Sequence, residues 1–251
     1  MKRVLSSVGI GSATVDTILP DSSFVPGETV EATVEVEGGS SEQEIEQLNF
    51  ALVTRYRGDE GYEQSVFERF TVAEAFTIGE GERREIPVEF TIPYGAPLTK
   101  SGVKVWLKTG LDIDWALDPK DKDHIEVGAD ERMAALFEAV EDLGFGFHSS
   151  EVERTRFGHS HPFAQEFEFR PRSGPFTGDL DELELICAPT PDAVQVHLEI
   201  DRRGGLLSEM AETDESRDSF RFDGTDTDSI RRSSDAASNA TPEAASVATV
   251  P

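Results

Sequence analysis

The stretch FVPGETVEATVEVEGG, residues 24–39, gives the clearest structural signal in this chain. From residue 30 onward, apolar side chains occupy every second position, and glutamate or threonine fills the positions between them. The apolar positions are Val30, Ala32, Val34 and Val36. A period of two is typical of a β-strand with one face in a core and the other in solvent. Since the turn-forming dipeptide Pro26-Gly27 precedes this alternation, the stretch predicts a turn followed by an amphipathic strand.

Similar short strands are predicted at regular intervals along the rest of the chain. The first group comprises IEQLNFALVTRYRG (45–58), SVFERFTVAEAFTI (65–78), RREIPVEFTI (83–92) and GVKVWLKTGLDI (102–113). The second group comprises FGFHSSEVERTRF (145–157), PFAQEFEFRP (162–171), LDELELICAP (180–189) and AVQVHLEIDRR (193–203). Short strands separated by Gly, Pro and Asp indicate a mostly β chain built from antiparallel β-sandwiches. No glycine-rich loop joins a strand to a helix, so a nucleotide-binding α/β fold is not supported.

One segment, GADERMAALFEAVEDLGF (128–145), has the periodicity of an amphipathic helix. Its apolar stripe consists of Met133, Leu136, Phe137, Val140 and Leu143. Asp130 is predicted to cap the start, and Gly144 is predicted to end the helix in a left-handed conformation. We expect this helix to lie over the edge or the end of a sandwich.

The composition is strongly acidic. The 251 residues include 50 Asp and Glu against 23 Lys and Arg, so the formal net charge is −27. Such a chain repels nucleic acid and anionic membranes, which argues against a general nucleic-acid role. Because the excess is spread along the whole chain, it also predicts a cytosolic protein of a halophile that keeps molar salt in its cytoplasm.

The cysteine content and the N-terminus agree with a cytoplasmic location. Cys187 is the one cysteine, so an internal disulfide is impossible, as expected in a reducing cytosol. It lies in the apolar run LELICAP and is predicted to be a small buried side chain. The N-terminus lacks the continuous apolar region of a signal peptide, and no stretch is long enough to span a bilayer.

The segment VWLKTGLDIDWALDPKDKDHIEV, residues 105–127, concentrates aspartates and is a candidate calcium site through Asp118, Asp121 and Asp123. Its spacing does not match the helix-loop-helix calcium loop, and lysines alternate with the last two aspartates. The run Asp118-Pro119-Lys120-Asp121 has the composition of a tight turn. We therefore interpret the segment as a connector, with metal binding as the alternative.

A second candidate metal site is the pair His159 and His161. On a strand both would project from one face and could share a metal. The flanking Gly158 and Pro162 favour a turn, and His148 is the nearest candidate for a third ligand. No motif of a serine or cysteine nucleophile is present. The sequence therefore predicts no catalytic, cofactor-binding or metal-binding residue.

Several of these motifs together resemble the sporulation-control protein family, whose members have arrestin-like folds. They are FVPGETVEATVEVEGGSSEQEIEQLNFALVTRY (24–56), IPVEFTIPYGAPLTKSGVKVWLKTGLDID (86–114), LDPKDKDHIEV (117–127), LFEAVEDLGF (136–145), PFAQEFEF (162–169), DLDELELI (179–186) and HLEIDRRGG (197–205). The chain departs from the family pattern in its acidity, its long Ser/Thr-rich tail and its His159-Ser160-His161 stretch.

The resemblance implies two arrestin-like β-sandwiches in tandem and a regulatory protein that binds other proteins without catalysis. On this basis we expect a first sandwich in residues 1–116, followed by a connector, the helix and a second sandwich in 117–207. Residues 208–251 have almost no large apolar side chains after Phe222, so we predict a disordered acidic tail. The competing prediction is a β-sandwich that binds a metal or a small ligand.

Overall fold

The computed structural model describes residues 13–111, 121–155, 161–202 and 215–238. The strands are β1 Thr14–Ile18, β2 Ser23–Phe24, β3 Thr29–Glu37, β4 Gln43–Ile45, β5 Leu48–Gly58, β6 Gly61–Ala73, β7 Phe76–Ile78, β8 Arg83–Thr91, β9 Val105–Leu111, β10 Asp121–Val127, β11 Phe145–Arg154, β12 Phe163–Pro171, β13 Leu180–Pro189, β14 Val194–Arg202 and β15 Glu215–Phe222. The helices are α1 Glu131–Asp142 and α2 Thr227–Ser238. The predicted mostly β fold class is confirmed. Neither described helix is long and apolar enough to cross a membrane.

The chain divides into two compact units. Unit 1 comprises Met1–Ala129 and Glu151–Ala164, and unit 2 comprises Asp130–Ser150 and Gln165–Pro251. The chain therefore passes from one unit to the other three times, and strands β11 and β12 each contribute residues to both.

Unit 1 contains two larger sheets that face each other and a two-stranded sheet of β4 and β7. In the first, β3 lies between β1 and β8, and its alternating valines are buried as predicted. The second contains β6, β5, β9, β10 and β2 in that order. The Phe90 ring of β8 lies 5.3 Å from Phe50 of β5 and 5.7 Å from Phe70 of β6, measured between ring centroids. Aromatic contacts between the sheets therefore form part of the core of a β-sandwich.

The predicted turn before β3 depends on Gly27. This residue has a φ of +85°, a region that favours glycine. Its N–H donates to the carbonyl of Ile92 at 2.8 Å. A Cβ atom at this position would lie 2.5 Å from the hydroxyl oxygen of Tyr94. The backbone angle therefore favours glycine here, and a larger residue would also require the Tyr94 ring to move.

In unit 2, helix α1 packs on a sheet that includes strands β12 to β15. The Phe137 ring lies 5.1 Å from Phe167 and 5.8 Å from Phe169, both on β12. Because β12 has a neighbouring strand on each side, the helix lies on the face of the sheet. The expectation that it would lie over an edge or an end was wrong, because the aromatic side chains of β12 provide more apolar surface than an edge strand does.

The predicted ends of α1 are confirmed. The Asp130 carboxylate accepts a hydrogen bond from the Met133 N–H at 2.8 Å, which satisfies one of the free amides of the first turn. Gly144 follows the helix with a φ of +94°, and its N–H donates to the Glu141 carbonyl at 2.9 Å. These two residues define where the helix begins and ends.

Replacing Asp130 by alanine is expected to lower the free energy of unfolding by about 1 kcal/mol, because the cap is lost. The matched control is Asp142→Ala at the opposite end of α1. An acidic residue there lies at the negative end of the helix dipole, so its removal is expected to change stability by less than about 0.5 kcal/mol. Urea unfolding together with hydrogen exchange of the α1 amides measures both effects. Equal losses in the two variants would contradict the capping role.

Within the segment predicted to be a disordered tail, the described residues 215–238 form a strand and a helix. Strand β15 pairs antiparallel with β14 from Val194↔Phe222 to Asp201↔Glu215, and α2 packs against α1 and β15. Two apolar side chains, Phe222 and Ile230, are buried in this segment. An edge strand gains its hydrogen bonds from the backbone of its neighbour, so a polar composition does not prevent it from forming. Residues 208–214 and 239–251 lie outside the described residues.

Candidate functional site

Strands β9 and β10 carry different chemistry on their two faces. They pair antiparallel, with Asp121 opposite Thr109, Lys122 opposite Lys108 and His124 opposite Trp106. Leu107, Thr109, Asp121 and Ile125 are buried on one face. The other face carries Trp106, Lys108, Lys122 and His124, which we call the lysine–tryptophan face. The segment 105–127, which the sequence analysis interprets as a connector, therefore contains the two paired strands β9 and β10. The two faces of this strand pair differ in chemistry.

On the buried face, Asp121 joins β10 to the opposite sheet. Its Oδ2 accepts a hydrogen bond from the Thr17 N–H of β1 at 2.8 Å, and its Oδ1 accepts one from the Lys122 N–H at 2.8 Å. The side chain is only 3% exposed. Next to it, the Thr17 and Thr109 hydroxyl oxygens are 2.6 Å apart, so they share a hydrogen bond. Both contacts connect β1 of one sheet to a strand of the other.

Asp123 lies two residues further along β10 and is half-buried. Burial, the charge of Asp121, a hydrogen bond with Asp121 and the charge of Asp16 together raise the pKa of Asp123 to about 7. Its Oδ2 atom is buried and has no hydrogen-bond partner among the described residues. Near neutral pH, Asp123 can therefore take up a proton while Asp121 remains the acceptor for two backbone amides.

This geometry bears on the calcium alternative proposed from the sequence. Asp118 lies outside the described residues. Asp121 and Asp123 are described, but both Asp121 oxygens already accept backbone hydrogen bonds. Within the described parts of the chain, no group of three or more His, Cys, Asp or Glu side chains is arranged to hold a metal ion.

The histidine pair is only partly described. His159 lies outside the described residues. The His161 ring stacks on Phe163 with the centroids 5.5 Å apart and the planes at 14°. His148 Nε2 lies 3.9 Å from a carboxylate oxygen of Glu168. His161 thus contacts the aromatic rings of Phe67 and Phe163, and His148 lies near an acidic side chain.

On the outer face of β9 and β10, the Trp106 ring contacts a lysine and a histidine. The Lys122 ammonium lies 4.1 Å from the centroid of the Trp106 ring, a cation–π contact. The His124 ring meets the same indole edge to face at 6.4 Å. Lys108 Nζ donates to the Gln64 side-chain oxygen at 3.3 Å. Trp106 and Lys108 are half-buried, whereas Lys122 and His124 are exposed.

The two lysines of this face repel each other. Partial burial, followed by the charge of Lys122, lowers the pKa of Lys108. Among the described residues, neither ammonium group forms an ion pair with a carboxylate. The chain has a net charge of −27. Two adjacent lysines without an acidic partner among the described residues therefore give this face a positive charge, opposite in sign to the net charge of the chain.

Sequence analysis missed this face, although a compositional signal was present. The chain has six lysines, and five of them lie between residues 100 and 122. Both tryptophans, Trp106 and Trp115, lie in the same interval. The strand register then places Lys108 beside Lys122 and Trp106 beside His124.

A further group of charged residues in unit 1 joins the end of β11 to the β5–β6 hairpin. The Tyr56 hydroxyl donates to Glu63 at 2.6 Å, and Arg154 pairs with the same carboxylate. The Tyr62 hydroxyl donates to Glu151 at 2.9 Å. Hydrogen bonding to Glu63 is the main reason that the pKa of Tyr56 is raised. These side chains are paired with one another and serve to hold the strands together.

Cys187 lies on β13, opposite Val196 of β14. As a residue it is half-buried, but desolvation of its thiol raises the pKa of Cys187 to about 12. A thiol with this pKa is almost entirely protonated at neutral pH and is a poor nucleophile. This agrees with a packing role for Cys187.

Comparison with known proteins identifies the family. The family profile described as "Spo0M: SpoOM protein" matches residues 1–204. The sporulation-control protein spo0M of Bacillus subtilis (strain 168) is 39% identical over 230 residues, which is 88% of this chain and 89% of that protein. The crystal structure of Spo0M from Bacillus subtilis superposes with a TM-score of 0.76 and 36% identity, covering 90% of this chain and 96% of the other. The match to this structure confirms the fold class that the sequence resemblance implied. This chain belongs to the Spo0M family of sporulation-control proteins.

Proposed function

We propose that this chain is a non-catalytic regulatory protein of the sporulation-control type, which acts by binding another protein. Its membership of the Spo0M family supports a regulatory role. A cytosolic location is part of the proposal and is supported by the acidic composition and the single cysteine.

The lysine–tryptophan face is the observation that carries this proposal. Tryptophan is enriched among the residues that contribute most to binding between proteins. Charged side chains at the rim of an interface steer the encounter and select the partner. Trp106 is half-buried beneath Lys122, and the neighbouring Lys108 has no acidic partner among the described residues. The face therefore offers an aromatic platform together with charge that a partner can neutralise.

Affinity purification of the tagged full-length chain from its own cells, at the native salt concentration, tests this function. Mass spectrometry would identify the co-purifying protein, and light scattering of the reconstituted mixture would give the stoichiometry. The proposal predicts a complex with a defined ratio of chains. A purification that recovers no stoichiometric protein, with the tag alone as background, would contradict the adaptor role.

A further inference from the structure

We propose that the lysine–tryptophan face binds an acidic, extended segment of the partner protein. This inference rests on the proposed function and deepens it, because it names both the surface and the chemistry of its occupant. The partner segment would place a carboxylate at the lysine pair and an apolar or aromatic side chain at Trp106.

Charge complementarity gives the first argument. Lys108 and Lys122 are directly opposite each other on neighbouring strands, so both side chains extend from the same face. Their mutual repulsion contributes to the lowered pKa of Lys108. A carboxylate placed between the two ammonium groups would relieve this repulsion and form two charge-assisted hydrogen bonds. The pair is therefore suited to bind an anion.

The spacing along the strands gives the second argument. The pair formed by Trp106 and His124 lies two residues before the lysine pair on β9 and two residues after it on β10, on the same face. Two residues of an extended strand span about 7 Å. Side chains i and i+2 of an extended peptide project from the same side at the same spacing. An acidic residue and an apolar residue two positions apart would therefore meet the lysine pair and the aromatic pair together.

The remaining charge of the chain favours a short acidic peptide over larger polyanions. Duplex DNA carries one negative charge per roughly 1.7 Å of its axis, and its binding needs many phosphate contacts. The lysine–tryptophan face supplies two lysines within a chain of net charge −27, which repels an extended polyanion. A short peptide segment can contact the face without approaching the acidic surface around it.

The test uses the full-length chain and a labelled peptide, Ser-Glu-Ser-Phe-Ser-Glu-Ser-Phe, with binding measured by fluorescence anisotropy. We expect saturable binding that weakens as salt concentration rises. The double variant Lys108→Gln/Lys122→Gln is expected to weaken binding about tenfold, and Trp106→Ala by a similar factor. A control peptide has glutamine in place of each glutamate. Its affinity for the wild-type protein is expected to be about as low as the affinity of the glutamate peptide for the lysine variant.

The matched control is Arg83→Gln/Arg84→Gln, which removes the same charge from β8. Each of these arginines already pairs with a glutamate, Glu37 and Glu82 respectively. This variant is expected to bind the peptide within about twofold of the wild type, since both arginines lie on the other sheet of unit 1 and already pair with glutamates. Its circular dichroism spectrum, and that of the lysine variant, should match the wild type.

Three outcomes would overturn the inference. They are unchanged peptide binding by the lysine variant, absence of saturable binding by the wild type, and tighter binding of an oligothymidylate or of phosphatidylserine vesicles to the same face. Recovery of a stoichiometric partner from cells would preserve the adaptor function even in these cases. Failure to recover any partner from cells would contradict the proposed function itself. The peptide test and the purification therefore distinguish an error in the binding surface from an error in the proposed function.

Discussion

Replacing Asp123 by asparagine is expected to stabilise the protein at pH 8, and the same change at Asp121 is expected to destabilise it. Asp123 is half-buried, and its Oδ2 has no hydrogen-bond partner among the described residues. An asparagine amide has nearly the same shape, carries no charge and can donate a hydrogen bond towards the Asp121 carboxylate. The variant therefore keeps the favourable pairing and removes the charge repulsion.

The sign of the pH dependence follows from the direction of the shift. The pKa of Asp123 is raised from 3.8 to about 7, so the folded state holds this proton more tightly than the unfolded state does. The stabilisation is fully present below about pH 4 and is lost as the pH rises to about 7. The full shift would correspond to about 4 kcal/mol, but Asp123 retains contact with solvent, so we expect about 1–2 kcal/mol. Asp123→Asn should remove most of this pH dependence.

Asp121→Asn is the matched control because it makes the same chemical change two residues away. The Asp121 carboxylate accepts from both the Thr17 N–H and the Lys122 N–H. An asparagine has one acceptor oxygen, so one amide loses its charged partner at a cost of about 1–3 kcal/mol. Urea unfolding at pH 5 and pH 8 in the same salt would measure both variants. A loss of stability in Asp123→Asn at pH 8 would contradict this account.

Phe169→Ala is expected to lower the free energy of unfolding of unit 2 by about 3–5 kcal/mol. Phe169 is completely buried on β12, where its ring lies 5.8 Å from Phe137 of α1 and 5.6 Å from Phe147 of β11. Truncation would leave a cavity between the helix and the sheet, and the neighbouring rings would lose contacts that rigid packing cannot restore. Hydrogen exchange of the α1 amides should accelerate strongly, because the helix loses one of its anchors.

Phe220→Ala provides the comparison for this cavity effect. Phe220 lies on the edge strand β15, is half-buried and stacks on Phe222 at 6.1 Å. Its truncation removes less buried area and leaves an opening that solvent can fill, so a cost of about 1–2 kcal/mol is expected. The two variants should therefore differ by at least about 1 kcal/mol in urea unfolding. Equal losses in the free energy of unfolding would mean that packing of α1 on the sheet does not depend on Phe169.

The elements found correctly from the sequence are those whose signal is local. The alternation through Val30 and Val34 predicts β3 because every second side chain enters the core. The ends of α1 were predicted because Asp130 and Gly144 act within one turn of the helix. Strand β15 was missed because its hydrogen bonds come from β14 and a polar composition conceals them.

The candidate site depends on contacts between distant parts of the chain. The sequence singles out Asp121 and Asp123 together with Asp118, but the Thr17 amide that donates to Asp121 lies 104 residues away in the sequence. Neither the burial of Asp121 nor the raised pKa of Asp123 can be derived from the spacing of residues along the sequence. The lysine–tryptophan face likewise requires the register between β9 and β10, which brings Lys122 next to Lys108. Sequence composition alone placed these residues in one segment without assigning them to a face.

A side-by-side purification of three full-length chains from their own cells would test the central claim most directly. The chains are the wild type, Lys108→Glu/Lys122→Glu and the control Arg83→Glu/Arg84→Glu. We predict that the wild type and the arginine variant retain the same stoichiometric partner, and that the lysine variant loses it while remaining folded. A partner retained equally by all three chains would contradict the assignment of binding to the lysine–tryptophan face, and the absence of any partner would contradict the adaptor function.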